Sequence, residues 1–325
     1  MKRLDYYWYR KSPWLLLLWP LSALFCLLVL LRRGLFAGGL RRAYRMPVPV
    51  IIVGNITVGG SGKTPTVLWL ADYLKQHGYR PGLISRGYGG QTGYWPQSVT
   101  AQSEAGQVGD EAVLLARRSG CPMVVGPDRV AAAEQLLAKH LVDVIISDDG
   151  MQHYRLQRDI EIAVLDGERR LGNGHCLPAG PLREPPARLA SVDFIVANGP
   201  ARTGEWPLSL DGDEALSLSG DRRCALNDFA ATPVHAVAAI GNPQRFFDFL
   251  RAKGLEVIGH DYPDHHPFAP GELDFADPYP VLMTEKDAVK YLDHASERHW
   301  FVPVSASLPD EFGHRLLAAL EKVNG

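Results

Sequence analysis

The chain has 325 residues, of which 46% are hydrophobic, and this length suggests two domains with enough apolar material for buried cores. Its formal net charge of −2 excludes a general electrostatic attraction to nucleic acid. The four cysteines are scattered without a Cys-x-x-Cys pair, which argues against a disulfide framework or a zinc site and suits a reducing compartment.

An uncharged apolar stretch near the N-terminus covers residues 14–31 and is long enough to cross a membrane. No small-x-small cleavage site of a signal peptide follows it. A buried helix could show the same apolar run, but its length and flanks favour a membrane, and we predict that residues 1–35 form a membrane-associated helix. Because both flanks are basic and Pro20 can kink the helix, the pattern leaves open whether it spans the bilayer, folds into a hairpin or lies in the interface. The flanking basic residues are Lys2, Arg3, Arg10, Lys11, Arg32, Arg33, Arg41, Arg42 and Arg45.

The segment at residues 47–66 predicts a phosphate-binding loop. An apolar β-branched run at 48–53 indicates a strand, a glycine-rich turn follows it, and a helical pattern begins after Lys63 and Thr64. In such loops backbone N–H groups surround phosphate oxygens, the lysine reaches the β- and γ-phosphates, and the threonine binds Mg²⁺. The first glycine of the usual G-x-x-x-x-G-K-[ST] pattern is replaced here by Thr57. The predicted nucleotide-binding residues are Thr57, Val58, Gly59, Gly60, Ser61, Gly62, Lys63 and Thr64.

Strand and helix patterns alternate over residues 67–197, which predicts a mainly parallel sheet with helices on both faces. This alternation is lost over residues 200–232 and resumes at Val234. We therefore predict an α/β fold with a second, smaller α/β lobe. The predicted parts are the N-terminal membrane-associated helix at 1–35, a P-loop NTPase-type nucleotide-binding domain at 36–220 and a smaller lid domain at 221–325.

Two acidic pairs are candidates for the chemistry. An apolar strand ends in Asp148 and Asp149, the arrangement by which phosphate-loop proteins hold Mg²⁺, although a solvated turn could begin in the same way. Asp110 and Glu111 open a helix, where a carboxylate is by default a cap or a partner of the helix dipole and otherwise a candidate base. The residues alone leave both alternatives open.

Two loops carry further candidates. The loop Asp264-His265-His266 is flanked by prolines. It fits an ordinary surface loop, a metal site together with His260, or a relay in which Asp264 orients His265 for proton transfer. Arg183 lies in the stiff segment Pro-Leu-Arg-Glu-Pro, and arginine can bind phosphate through two parallel hydrogen bonds.

These segments together resemble one family, the lipid A tetraacyldisaccharide 4′-kinases of Gram-negative bacteria, over nearly the whole chain. Each motif is weak alone, but the full set in this order behind an apolar N-terminus is specific. Met151 stands where an aromatic residue is expected in this family. The matching stretches are residues 53–65, 85–89, 109–111, 126–129, 148–153, 178–185, 241–243, 264–266 and 284–290.

The resemblance implies a membrane-associated kinase that uses ATP and Mg²⁺ and transfers the γ-phosphoryl group to the 4′-hydroxyl of a tetraacylated glucosamine disaccharide 1-phosphate. It implies a place at the bacterial inner membrane, with the bilayer as a partner and the catalytic lobes on the cytoplasmic side. It also implies that Asp110 is the base and is backed by His265, and that Lys63 and Arg183 bind phosphates. Thr64 would hold or orient Mg²⁺ together with an acidic cluster of Asp148, Asp149 and Glu111.

An alternative class is the membrane-associated P-loop ATPase switch, whose phosphate loop reads K-G-G-x-G-K-[ST]. Residues 58–64 are close to that pattern, but Val58 occupies the position of its first lysine. A switch would also not need Asp110 together with the loop at 264–266. Phosphorylation of a detergent-dispersed acylated disaccharide distinguishes the two classes.

Overall fold

The computed structural model describes residues 4–10, 12–220 and 222–324, so Lys2, Arg3 and Lys11 of the predicted basic flanks lie outside the described residues. The helices are α1 (Leu4–Trp8), α2 (Trp19–Ala37), α3 (Lys63–Gln76), α4 (Ala105–Val108), α5 (Asp110–Ser119), α6 (Arg129–Lys139), α7 (Pro243–Ala252), α8 (Glu285–Tyr291) and α9 (Asp310–Asn324). The strands are β1 (Val50–Gly54), β2 (Pro81–Ser85), β3 (Gln97–Val99), β4 (Met123–Val125), β5 (Val144–Asp148), β6 (Ile160–Asp166), β7 (Phe194–Asn198), β8 (Trp206–Asp211), β9 (Glu214–Ser217), β10 (Arg223–Ala225), β11 (Val234–Ala238), β12 (Val257–Asp261), β13 (Val281–Thr284), β14 (His299–Val302) and β15 (Ser305–Ser307).

The strands of the described residues form two sheets, a larger one in the order β15-β8-β7-β6-β1-β5-β2-β4-β3 and a smaller one in the order β10-β9-β14-β13-β11-β12. In the larger sheet neighbouring strands are parallel, except that β3 and β15 pair antiparallel at its two edges. The smaller sheet is parallel from β14 to β12 and antiparallel at β9 and β10. The predicted α/β fold with a mainly parallel sheet and a second, smaller α/β lobe is confirmed. Below, the larger and smaller units are the parts of the chain built on these two sheets.

Helices cover both faces of the larger sheet, as predicted. The β-branched residues of β1, from Val50 to Val53, are all at 0% exposure, as expected for a parallel strand buried on both faces. Helices α3, α5 and α9 pack on one face, and α6 and part of α2 pack on the other. Because β6, β1 and β5 are parallel neighbours, their carboxyl ends meet at one edge of the sheet. This edge is where ligands bind in open α/β folds.

The chain returns to the larger sheet at its C-terminal end. Strand β15 pairs with β8, and the ring of Phe312 in α9 lies 5.5 Å from Trp69 and 5.3 Å from Phe194. The packing thus places residues 305–324 with the larger unit, whereas the sequence assigned them to the predicted lid domain. A three-residue strand is too short to show a pattern, and an amphipathic helix does not reveal which sheet it covers.

The apolar N-terminal segment is helical. Among the described residues, Pro13–Ala37 is the one helical segment long and apolar enough to cross a membrane by length and composition. Pro20 lies in the first turn of α2, where its missing N–H costs no intrahelical bond, so it does not kink this helix. Apolar side chains cover the outer side of the segment, including Leu16, Leu17, Trp19, Leu21, Leu24, Leu27, Leu28, Leu30 and Leu31.

The other side of α2 is attached to the larger unit. Near the start of the helix, the Ser22 hydroxyl donates a hydrogen bond to the carbonyl of Cys176 at 2.6 Å. Near its end, the Arg33 guanidinium donates to the Ser191 hydroxyl at 2.8 Å. Because these positions are about 16 Å apart along the helix axis, α2 lies flat against the surface of the unit over that distance.

Candidate active site

The phosphate-binding loop follows β1, and its backbone is shaped by glycine and by the Asn55 side chain. Gly62 has a φ of 101°, a left-handed conformation that favours glycine, and a Cβ there would collide with the Asn198 side chain. The Asn55 amide donates to the Ser61 hydroxyl at 3.2 Å. Lys63 is the first residue of α3. The loop N–H groups and the helix N-terminus therefore create a local geometry that suits an anion.

Two predicted cations and one predicted acid are in contact beside this loop. Asp149, which follows the last residue of β5, accepts hydrogen bonds from the Arg183 guanidinium at 2.9 and 3.0 Å. Its Oδ1 is 3.7 Å from Nζ of Lys63. Burial alone would raise the pKa of Asp149, but Lys63 and Arg183 lower it, so this carboxylate is ionised.

The surroundings of Asp148 raise its pKa, whereas those of Asp149 lower the pKa of that residue. Burial raises the pKa of this carboxyl, and the negative charges of Glu111 and Asp149 raise it further. Its Oδ1 is buried and has no hydrogen-bond partner among the described residues. Such a carboxylate is stabilised by a nearby cation, so Asp148 and Asp149 fit a divalent metal ion.

The same cluster fits Mg²⁺ in particular. In the described part of the chain, no three His, Cys, Asp or Glu side chains converge closely enough to hold a metal ion by themselves. Mg²⁺ in phosphoryl-transfer sites uses one or two carboxylates and completes its shell with substrate phosphates and water. Thr64 lies on the cavity that contains the phosphate-binding loop, so the predicted ligand set suits an ion that arrives with a nucleotide.

Asp110 and His265 are in contact across the two units, although 155 residues separate them in the sequence. Nδ1 of His265 is 3.1 Å from both carboxylate oxygens of Asp110. Asp110 begins α5 and is buried at 6% exposure, and its Oδ1 also accepts from the N–H of Glu111 at 2.8 Å. Burial opposes the charged form of both groups, but the interactions within the site outweigh it, so the pKa of Asp110 is lowered and that of His265 is raised.

Lys286 on α8 joins this pair to two further acids, and sequence reasoning did not select it. Its Nζ donates to Glu111 at 2.9 Å and to Asp264 at 3.2 Å, and it lies 3.3 Å from Nε2 of His265. Burial alone would lower the pKa of Lys286, but Glu111 and Asp110 raise it, so the amine stays protonated. The Thr-Glu-Lys-Asp segment was noted only as a matching motif, because a lysine in the first turn of a helix carries no signal of its own.

The alternative of a metal site around His260 and His266 is not supported. His260 Nε2 is 2.8 Å from Nδ1 of His235, and His266 Nε2 is 2.8 Å from Glu272. These two histidines are therefore engaged separately and do not converge with His265. Of the three alternatives for residues 264–266, the geometry is nearest to the relay, in which an acid orients His265. The acid that His265 contacts most closely is Asp110 rather than Asp264.

A cavity of about 800 Å³ lies between the two units. This size is typical of a small-molecule site. Thr57 does not line it, because Thr57 is buried behind the loop and forms a β-bridge with Leu182. The predicted residues that line it are residues 58–64, Glu111, Asp149, Arg183 and His265.

A loop of the smaller unit covers the phosphate-binding loop. Gly241 packs so closely on Gly60 that a Cβ at Gly241 would collide with the Gly60 backbone nitrogen. The Arg169 guanidinium holds this covering loop by donating to the Gly241 carbonyl and to Oδ1 of Asn242, both at 2.7 Å. Asn242 in turn donates to Asp166 at 3.2 Å. These residues were missed as site residues, and the glycine of the Gly-Asn-Pro motif was their only signal in the sequence.

A buried carboxylate braces the phosphate-binding loop from behind. Glu184 is at 1% exposure and accepts hydrogen bonds from the Gln152 amide at 2.7 Å and from the Tyr154 hydroxyl. The Gln152 amide also donates to the Asn55 carbonyl at 3.1 Å. Segments 148–153 and 178–185 of the matching motifs are therefore joined physically at the base of the site.

Known proteins similar to this chain were found by family model, by sequence and by structure. The family model described as tetraacyldisaccharide-1-P 4′-kinase matches residues 14–321. A tetraacyldisaccharide 4′-kinase of Nitrosococcus oceani is 53% identical over 316 residues, covering 97% of this chain and 94% of that protein. Another tetraacyldisaccharide 4′-kinase, of Alkalilimnicola ehrlichii, is 51% identical over 328 residues, covering 100% of this chain and 98% of that protein. A crystal structure of LpxK from Aquifex aeolicus in complex with ATP matches with a TM-score of 0.79 at 27% identity, covering 94% of this chain and 99% of that one.

Proposed function

The chain belongs to the tetraacyldisaccharide-1-phosphate 4′-kinase family, and we propose that the cavity between its two units is the site of its reaction. The chain is an ATP-dependent lipid kinase of lipid A biosynthesis. It transfers the γ-phosphoryl group of ATP to the 4′-hydroxyl of a tetraacylated glucosamine disaccharide 1-phosphate. The observation that carries the assignment of the site is that the phosphate-binding loop and His265, which contacts Asp110, line the same cavity.

On the donor side, Lys63 and Arg183 bind phosphate oxygens of ATP. Both cations converge on Asp149, which fixes them beside the phosphate-binding loop. Phosphoryl transfer depends on positioning and charge neutralisation more than on covalent help from the protein. The loop N–H groups and the N-terminus of α3 add to the positive potential at this place.

Thr64, Asp148 and Asp149 are the residues that would hold Mg²⁺. When bound, Mg²⁺ neutralises charge on the β- and γ-phosphate oxygens. Glu111 forms an ion pair with Lys286 at 2.9 Å, so its part is to orient the acidic cluster rather than to bind the ion directly. The unpartnered Oδ1 of Asp148 supports this division of roles.

On the acceptor side, Asp110 takes the proton of the 4′-hydroxyl. The hydroxyl oxygen attacks the γ-phosphorus, the bond from phosphorus to the β–γ bridging oxygen breaks, and ADP leaves. A sugar hydroxyl is a poor nucleophile, so a positioned carboxylate base contributes roughly 10²–10⁴-fold. His265 holds this carboxylate from the smaller unit, so the base is complete only while the units are together and water is excluded.

The lipid substrate stays in a bilayer, so the kinase must reach it there. The outer leucines of α2 are exposed, while Ser22 and Arg33 attach its inner side to the larger unit. A helix that crossed the bilayer in this attachment would carry part of the unit into hydrocarbon. Helix α2 therefore lies in the interface of the bacterial inner membrane, with the catalytic units on the cytoplasmic side, and its basic flanks contact anionic lipid.

The test is an assay with γ-labelled ATP and a detergent-dispersed tetraacyl disaccharide 1-phosphate. We expect label on the lipid, and little release of inorganic phosphate when the lipid is omitted. The control substrate is the same lipid with its 4′-oxygen methylated, which should accept no label. Phosphate release that does not depend on lipid, with no labelled lipid formed, would contradict the proposal and favour the ATPase switch.

A further inference from the structure

The Lys286 ammonium has a complete set of partners drawn from both units. Its three N–H donors face Glu111 at 2.9 Å, Asp264 at 3.2 Å and Nε2 of His265 at 3.3 Å. Its side chain is only 14% exposed. Because two carboxylates balance its charge, the remaining N–H is available to the imidazole, and this contact bears directly on the state of His265.

The surroundings of the His265 ring specify one tautomer. Nδ1 faces the carboxylate of Asp110, whose lowered pKa keeps it ionised, so Nδ1 carries a hydrogen and donates it. Nε2 lies 3.3 Å from the Lys286 ammonium, which has no acceptor, whereas Oδ1 of Asp264 is 3.8 Å away and beyond hydrogen-bond distance, so in the neutral ring Nε2 presents its lone pair to Lys286. A doubly protonated imidazole would direct an N–H at Lys286, which opposes that state and limits the rise in the pKa of His265 that the Asp110 hydrogen bond causes, so the neutral tautomer is the state above that pKa.

We propose that Lys286 is a positioning residue that holds His265 as the neutral Nδ1–H tautomer. In this state His265 orients the Asp110 carboxylate without placing a full positive charge against it. An imidazolium in the same place would weaken Asp110 as a base, since a nearby positive charge favours the ionised carboxylate over the protonated one. The inference rests on the proposed function, because it assigns Asp110 the proton of the 4′-hydroxyl.

Few other contacts fix the His265 imidazole on the loop at residues 264–266. His265 has a φ of 60°, in the left-handed region that non-glycine residues rarely adopt. Its ring contacts Tyr88 at 4.8 Å, but Tyr88 is 59% exposed and offers little constraint. Lys286 fixes the ring at Nε2, and Asp110 fixes it at Nδ1, so the imidazole is held at both nitrogens.

The test compares Lys286→Met with the matched control Arg118→Met. Arg118 on α5 pairs with Glu285 on α8 at 2.6 Å, so it joins the same two helices from the position next to Lys286 without touching the Asp110–His265 pair. For Lys286→Met we expect kcat to fall roughly 10- to 100-fold, the loss that is typical when the partner orienting a metal-bound histidine is removed, with the KM for ATP little changed. For Arg118→Met we expect near-normal kcat.

The spectroscopic readout is the ¹⁵N NMR of ring-labelled histidine, with the His265 signals assigned from a His265→Ala spectrum. Near pH 9, where the ring is neutral, we expect the Nδ1–H pattern in wild type and in Arg118→Met, and a changed pattern in Lys286→Met. If that variant fails to fold, Lys286→Gln supplies a neutral N–H donor and should show an intermediate kcat with the wild-type pattern.

An unchanged His265 pattern in Lys286→Met, or an equal loss of kcat in the two Met variants, would overturn the proposal and leave Lys286 a simple bridge between units. Absence of lipid phosphorylation by the wild type would refute the proposed function instead, and the NMR pattern would still test the tautomer.

Discussion

Replacing Asp110 and His265, singly and together, tests whether the two residues act as one unit. Asp110→Asn keeps the shape of the side chain and the oxygen that accepts from the Glu111 N–H at 2.8 Å, so it removes the base with little loss of helix capping. His265→Ala removes a donor that lies 3.1 Å from both carboxylate oxygens. The two changes therefore address the base and its support separately.

The expected losses follow from this geometry. Removing a general base lowers kcat by roughly 10²–10⁴-fold. A hydrogen bond to a buried charged group contributes about 1.5–3 kcal/mol, which corresponds to roughly 10- to 150-fold if all of it is lost from the transition state. Because His265 acts through Asp110, its removal should cost almost nothing in the Asp110→Asn background, and the double variant should resemble Asp110→Asn alone.

The assay is kcat at saturating ATP and lipid for wild type, both single variants and the double variant, with Tm measured alongside. Neither residue is proposed to contact ATP, so the KM for ATP should change little. Fully multiplicative losses, or a His265→Ala enzyme with wild-type kcat, would refute the reasoning and leave Asp110 to act without this support. A change confined to Tm would instead assign Asp110 the role of a helix cap.

Two further predictions concern the membrane and pH. Leu17→Gln with Leu21→Gln should reduce membrane partitioning and raise the KM for lipid more than the KM for ATP, because these side chains are 81% and 56% exposed. The control is Ser22→Ala on the attached side, which should partition normally. Unchanged partitioning of the double Gln variant would count against the interfacial helix. Burial lowers the pKa of His265, but the Asp110 carboxylate outweighs this and raises it. The ion pair therefore stabilises the fold fully below the unfolded pKa of about 6.5, and this stabilisation is lost as pH rises through the folded pKa. The Tm difference between wild type and His265→Ala should be larger near pH 6 than near pH 9, and the reverse order would show that the pair does not stabilise the fold.

The phosphate-binding loop and the parallel sheet could be predicted because their signals are local. A β-branched strand, a glycine turn and Lys63-Thr64 are contiguous in the sequence, and alternating strands and helices imply parallel pairing. Asp148 and Asp149 also carry a local signal, because an apolar strand, β5, runs directly into them. In each case the residues that carry the signal are contiguous in the sequence.

The elements that could not be predicted from local pattern depend on how the two units meet. The pairing of Asp110 with His265 came only from the family resemblance, since 155 residues separate them. Lys286 and Arg169 gave no signal of their own, because a charged residue near a turn is usually solvated, and only the packed units show that each bridges two segments. The return of β15 to the larger sheet was missed for the same reason.

The central claim is that one cavity has a donor side built on Lys63 and an acceptor side where His265 lines the cavity and contacts the Asp110 base. The most direct measurement compares ATP binding with single-turnover transfer of label to lipid in Lys63→Ala and Asp110→Asn. We predict that Lys63→Ala weakens ATP binding and loses transfer, whereas Asp110→Asn binds ATP as wild type does and loses transfer by roughly 10²–10⁴-fold. Transfer at the wild-type rate by Asp110→Asn, or a loss of ATP affinity in that variant as large as its loss of transfer, would contradict the account.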